Sequence, residues 1–104
     1  MIIIWTLTAK FRLKEIYLYY KHAASLPVAK KLKKEVFTST SSLKNHPEIG
    51  QIEELLKNKK FEYRYLIKGN YKIIYRIEND RVYVIDVFDC RQNPTKLSKV
   101  RFKR

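Results

Sequence analysis

The chain has one cysteine, Cys90, so it can form no internal disulfide framework and no cysteine-built zinc site. At a strand end a lone cysteine reads as a small packed residue. The two histidines, His22 and His46, are far apart and lack metal-ligand spacing. No metal and no cofactor are therefore expected. No apolar run approaches the ~20 residues of a membrane-spanning helix. Met1-Ile2-Ile3-Ile4-Trp5 is too short for a secretory signal and has no basic segment before it. The expected location is the cytoplasm, with no membrane association. Acidic residues are also scarce, 10 against 23 Lys and Arg, which leaves a net charge of +13 on 104 residues. Such a bias points to an anionic partner, whether nucleic acid, a nucleic-acid machine or an acidic protein. There is no internal repeat and no flexible linker, and the length suits one compact domain over residues 1–104.

The chain is organised around residues 61–91. Three runs, 62–67, 71–77 and 82–88, are rich in Tyr, Ile and Val, which suit pleated, half-buried strands. Lys68-Gly69-Asn70 separates the first two, and Glu78-Asn79-Asp80-Arg81 the last two, so the pattern predicts an antiparallel meander. A three-residue loop would pair Ile67 with Tyr71. It would place Tyr63, Tyr65, Ile67, Tyr71, Ile73, Tyr75 and Ile77 on one face and Arg64, Leu66, Lys72, Ile74 and Arg76 on the other. A two-residue loop would flip the first strand and mix the sets. The cleaner partition favours the three-residue loop, while Asp86 interrupts the third strand on either register. The basic face has two readings. It is a functional cation set, or it solvates the open side of a one-layer sheet.

Ahead of the meander, residues 2–6 read as a strand that joins the sheet edge, making four antiparallel strands. Thr8 is a candidate N-cap for a helix over 8–24, with Ala9, Leu13, Ile16, Tyr20 and Ala24 in one stripe. Ser25 and Pro27 open a second helix over 26–43, striped by Val28, Leu32, Val36, Ser39 and Leu43. Its end is weakened by Thr38-Ser39-Thr40-Ser41-Ser42, whose side chains compete for the backbone. The short break predicts an antiparallel helical hairpin packed on the apolar sheet face, an α+β fold. Tyr65, Ile73, Tyr75, Leu13, Ile16, Leu32 and Val36 are expected to be buried together. Residues 45–60 form a connector turned at His46-Pro47 and Gly50, with a short helical turn at Ile52, Leu55 and Leu56. After Arg91 the chain carries Lys96, Lys99, Arg101, Lys103 and Arg104 and no acid. Leu97, Val100 and Phe102 could give this tail a docking side, the alternative being a solvated terminus.

Trp5-Thr6 with Ala9, Leu13, Ile16 and Tyr20 resembles the first helix of the RelE/ParE toxin superfamily. His46-Pro47-Glu48-Ile49-Gly50 is similar to its inter-element loop. Tyr63-Arg64-Tyr65-Leu66 and Gly69 to Ile77 resemble its paired strands. Val84-Ile85-Asp86-Val87-Phe88-Asp89 with Arg91-Gln92-Asn93-Pro94 resembles its last strand and exit. No single motif is diagnostic, but the ordered set covers nearly the whole chain. The resemblance implies the toxin of a type II toxin–antitoxin pair, a growth inhibitor neutralised by a small acidic antitoxin, with a helical hairpin on a small antiparallel sheet. It implies one of two targets: DNA gyrase, poisoned as by ParE, or the ribosome and its mRNA, cut as by RelE. A small-molecule substrate is not expected.

For the RelE-like alternative, the resemblance implies a cation pair spaced by two on the first meander strand, a further cation on the next, an Arg beyond the last, and a terminal Tyr or His. Carried over, these fall on Arg64, Leu66, Lys72, Arg91 and the neighbourhood of Leu97. Arg64, Lys72 and Arg91 are thus the catalytic candidates if the protein is a nuclease. Leu66 and Leu97 depart from the pattern, and no His or Tyr follows Tyr83. Cleavage by a 2′-oxygen requires proton transfer as well as charge stabilisation, and an always-protonated Arg is a poor base. Loss of one acid–base group costs on the order of 10²- to 10⁴-fold in rate. This argues against an efficient RelE-type nuclease, leaving open one that borrows groups from the ribosome. The first expectation is therefore the gyrase poison.

Overall fold

A computed structural model describes residues 1–56 and 60–90. Strand β1 (Ile2–Trp5) leads into helices α1 (Leu7–Ala23) and α2 (Leu26–Ser41), followed by a 3₁₀ turn at Ser42–Lys44. A two-residue strand β2 (Gln51–Ile52), a 3₁₀ turn at Glu54–Leu56, and strands β3 (Tyr63–Lys68), β4 (Tyr71–Glu78) and β5 (Arg81–Asp89) complete it. The sheet has five strands in the order β1-β5-β4-β3-β2. It is α+β as expected, and no helix among the described residues is long and apolar enough to cross a membrane.

The helices begin where hydroxyl caps allow. Thr6, not Thr8, caps α1, its Oγ1 accepting from Ala9 N at 3.2 Å. Ser25 caps α2 through Val28 N at 3.3 Å, with Pro27 in the first turn. At the far end Ser39, Thr40, Ser41 and Ser42 each donate to a carbonyl three or four residues back, and the helix tightens into the 3₁₀ turn.

The sheet departs from expectation in two ways. First, β1 runs parallel to β5, pairing Ile3 with Val82 and Trp5 with Val84, so the sheet is mixed rather than antiparallel. Parallel neighbours need a long crossover, and the helical hairpin supplies it. Thr6 continues the ladder by donating from its N–H to Val84 O at 3.0 Å. Second, the β3–β4 loop has two residues, not three: Lys68 pairs with Tyr71 and Ile67 with Lys72. Gly69 takes φ +58° at the first central position, where a two-residue hairpin turn favours glycine. The β4–β5 turn is also two residues, with Asn79 and Asp80 both at positive φ, the pattern of a type I′ turn.

This register mixes the two face sets. Leu66 and Arg64 join Ile73 and Tyr75 on the helix side, while Tyr63 and Tyr65 lie with Lys72, Ile74 and Arg76 on the other. The clean partition into an apolar and a basic face does not hold, because the sheet has no wet face at β4. Ile73 and Ile74 are both fully buried, so β4 is covered on both sides. On the helix side Ile73 and Val84 pack with Ala9, Leu13 and Val36, flanked by Leu32 and Leu66. Beside them Tyr75 and Val82 pack with Leu43. On the far side Ile74, Ile85 and Phe88 pack with Leu56, and Tyr65 belongs to that cluster rather than to the helical core. Ile16 and Leu32 are half-buried.

Asp86 no longer obstructs the third strand, because a bulge sits there: Ile74 pairs with Asp86 but Tyr75 with Val84, leaving Ile85 extra. The bulge lets the Asp86 carboxylate meet Arg12 of α1 at 3.4 Å.

Ile73→Ala should lower stability by about 2–5 kcal/mol in urea unfolding, because a buried side chain leaves a cavity. Ile67, 54% exposed, should tolerate alanine within about 0.5 kcal/mol. Equal losses at the two positions would restore the three-residue register.

Candidate functional site

The candidate cations do not form one cluster. Arg64 projects from the helix side of β3. Its Nη1 donates to the carbonyls of Glu48 at 3.2 Å and Gly50 at 2.8 Å, and its Nη2 lies 3.5 Å from the Glu62 carboxylate. Lys72 is on the far side of the sheet. Its Nζ lies 3.0 Å from Glu53 Oε2, a carboxylate only 2% exposed, and 4.4 Å from the centre of the Tyr65 ring. Arg76, two positions beyond Ile74 on the same face of β4, is buried, held between Phe61 and Tyr83 and paired with Glu78 at 2.9 Å. The expected clustering of Arg64 and Lys72 on one sheet face is therefore corrected: the two-residue turn puts them on opposite faces, each in contacts within the protein. Arg91, like Leu97 and the basic tail, lies outside the described residues. Leu66, at the missing cation position, packs into the helical core.

Arg64 is part of a clamp on the 46–50 loop. The fully buried Tyr75 donates from its hydroxyl to Pro47 O at 2.6 Å and accepts from Gly50 N at 2.9 Å. Burial raises the Tyr75 pKa above the ordinary phenol value, against an opposing pull from the Gly50 N–H, so it stays a protonated donor at neutral pH. Only glycine fits at position 50. A Cβ there would meet Tyr75 Oη at 2.5 Å and the Tyr65 carbonyl oxygen at 2.8 Å.

The accessible chemistry lies on the helical hairpin. A groove of about 440 Å³ opens between α1 and α2. Leu13, Tyr17 and Phe37 line it together with Lys10, Lys14 and Lys33. Trp5 closes one end against Phe37, with ring centres 4.9 Å apart, and Lys33 lies 5.4 Å from the Tyr17 ring. An apolar lining among cations suits an acidic chain with apolar anchors. Leu18 (39% exposed) lines its edge, and beyond it α1 exposes Leu7 (76%) and Phe11 (62%), three residues outside the single apolar stripe expected of α1. Their spacing of four and seven residues, on the side opposite Leu13, was the available signal.

These features match a known family. The model of the ParE toxin of the parDE type II toxin–antitoxin system matches residues 3–94. The chain belongs to the ParE toxin family. It is thus a type II toxin of ParE type, and the RelE-like alternative is the weaker of the two expectations. A solved chromosomal ParDE toxin–antitoxin system from P. aeruginosa shares the fold at a TM-score of 0.71, with 16% identity over 86% of this chain and 95% of that one. No curated protein matches in sequence.

Two predictions follow from the clamp and the bulge. Gly50→Ala should destabilise the ParE-type domain by about 1–3 kcal/mol, as overpacked sites do, with Tyr75→Phe partly relieving the clash in a double-mutant cycle. Asp86 is 1% exposed, and its Oδ1 accepts from Val87 N at 2.8 Å. Burial pushes its pKa up to about 6, with Arg12 and the Val87 N–H pulling down and Glu15 pushing up. A raised carboxyl pKa means the native state binds the proton more tightly than the unfolded chain. The stability this gives is fully present below pH ~4 and is lost as pH rises through ~6. Asp86→Asn should remove that dependence, so its stability relative to wild type should rise between pH 4 and 7, by at most roughly 3 kcal/mol. Urea midpoints across that range measure it, and a flat difference would contradict the assignment.

Proposed function

We propose that this toxin inhibits DNA gyrase by binding rather than by cutting RNA, and that a small acidic antitoxin neutralises it through the α1–α2 groove. The observation that carries the reading is the placement of Arg64 and Lys72 on opposite sheet faces. Each is engaged by groups of the protein itself, Arg64 by two backbone carbonyls and Lys72 by buried Glu53. A phosphoryl-transfer centre needs cations converging on one phosphate, with a proton-transfer group beside them. Tyr75, the fully buried hydroxyl of the helix side, is committed to Pro47 and Gly50. A binding poison requires none of this and needs only surface.

The groove supports the antitoxin half of the proposal. Apolar anchors on an acidic helix or strand would enter between Leu13, Tyr17 and Phe37, while carboxylates meet Lys10, Lys14 and Lys33. A partner of that composition is short of core-forming residues and folds on binding. Purified protein at micromolar concentration should inhibit supercoiling by gyrase and trap its cleavage complex, and the cognate antitoxin should reverse both. Translating ribosomes should show no A-site cuts by toeprinting. Uninhibited gyrase together with A-site cleavage would overturn the reading.

A further inference from the structure

The two helices present different chemistry to solvent. The α1 side and the groove mix cations with large apolar side chains. The outward face of α2 carries Lys30, Lys31, Lys34, Thr38 and Ser41, all exposed. At 100° per residue these positions fall on the side opposite buried Ala29, Val36 and Thr40. Of the exposed apolar residues of α2, Leu26, Val28 and Phe37 fall outside that arc, and Pro27 lies on it at the first turn. Among the described residues none of the three ammonium groups has an acidic partner. Glu35 is the one acid in α2 and is half-buried off this face.

We infer that this face of α2 grips the phosphate backbone of duplex DNA. A protein partner needs large apolar anchors at the centre of its contact, and this face has none, only Pro27 at its N-terminal end. A single strand needs aromatic platforms for its bases, and this face has none of those either. Phosphates need only cations and hydroxyl donors; the face has three ammonium groups and the Thr38 hydroxyl, the Ser41 hydroxyl already donating to the Phe37 carbonyl at 3.0 Å. The three lysines lie within about 6 Å of helix axis, Lys30 to Lys34 at ~1.5 Å per residue. Duplex DNA carries one charge per ~1.7 Å, so three ammonium groups on that length can each find a phosphate. The contact is independent of base sequence. The choice of DNA over RNA rests on the proposed target, an enzyme that works on duplex DNA, whereas the phosphate-binding character of the face does not.

The test is binding of the full chain, without gyrase, to a 20-base-pair duplex DNA from 50 to 200 mM salt. Duplex RNA of the same sequence and poly-glutamate serve as the other arms. Lys30→Gln/Lys31→Gln/Lys34→Gln should flatten the slope of log K against log salt by about 2.7, at ~0.9 per phosphate contact. That corresponds to roughly 40-fold less loss of affinity over the fourfold salt range. Lys31→Gln and Lys34→Gln alone should each remove about 0.9. Lys10→Gln/Lys14→Gln/Lys33→Gln, which strips equal charge from the groove, should change the slope by less than about 0.9. Equal flattening by the two triple variants would overturn the inference in favour of undirected charge. Tighter binding of poly-glutamate, lost with the α2 lysines, would assign the face to an acidic protein instead, and duplex RNA bound more tightly than DNA would refute the choice of DNA. Gyrase inhibition is read separately. If it is absent while the lysine-dependent DNA binding holds, the target reading fails and the phosphate face stands.

Discussion

The turn at Gly69-Asn70 governs the architecture. Side chains alternate along a strand with period two, so one residue more or less in that loop would move every side chain of β3 to the other face of the sheet. With two residues, Leu66 enters the helical core and Arg64 reaches the 46–50 loop. Tyr63 and Tyr65 go to the opposite layer with Lys72. The positive φ of Gly69 makes this tight loop accessible at low strain, and the type I′ pair Asn79-Asp80 does the same at the next turn.

Once the register is set, buried polar groups tie the irregular segments to it. Thr6 Oγ1 accepts from α1 and donates to the carbonyl of Val84 at the bulge, so one hydroxyl joins β1, α1 and β5. Tyr75 and Arg64 hold the 46–50 loop by four hydrogen bonds to its backbone. Arg12 reaches from α1 to Asp86, leaving the second carboxylate oxygen buried without a hydrogen bond. An unsatisfied buried oxygen is destabilising, and the burial of the carboxylate is the physical reason that the Asp86 pKa rises despite the neighbouring guanidinium. None of these bonds adds much net stability singly, but each penalises the competing registers in which its partner would be left unpaired.

The charge of the chain is distributed by function of place rather than spread evenly. Arg64, Lys72 and Arg76 are drawn into internal contacts, where they fasten a loop, a buried carboxylate and an aromatic pair. The hairpin presents two sets of ammonium groups to solvent: Lys10, Lys14 and Lys33 line the groove among apolar side chains, while Lys30, Lys31 and Lys34 lie on a face with no large apolar side chain. That contrast separates a surface suited to a protein from one suited to phosphates.

The sequence alone determined a good deal: the order of the elements, both helices to within two residues or so, the meander, the basic surface and the ParE-type resemblance. These depend on local periodicity, capping chemistry and composition, which neighbours in the chain carry. The core members Leu13, Val36, Ile73 and Tyr75 were legible for the same reason. Tertiary structure decided the rest. Alternation could not set the β3 register, because β4 is apolar on both faces and either pairing buries it. The parallel β1 edge and the two-residue β2 depend on partners some eighty and thirteen residues away. The candidate cations looked alike in the sequence, as Lys or Arg on neighbouring strands. Which of them faces solvent and which faces Glu53 or the Gly50 carbonyl is a property of the folded sheet, fixed by a turn whose length only the three-dimensional packing could select.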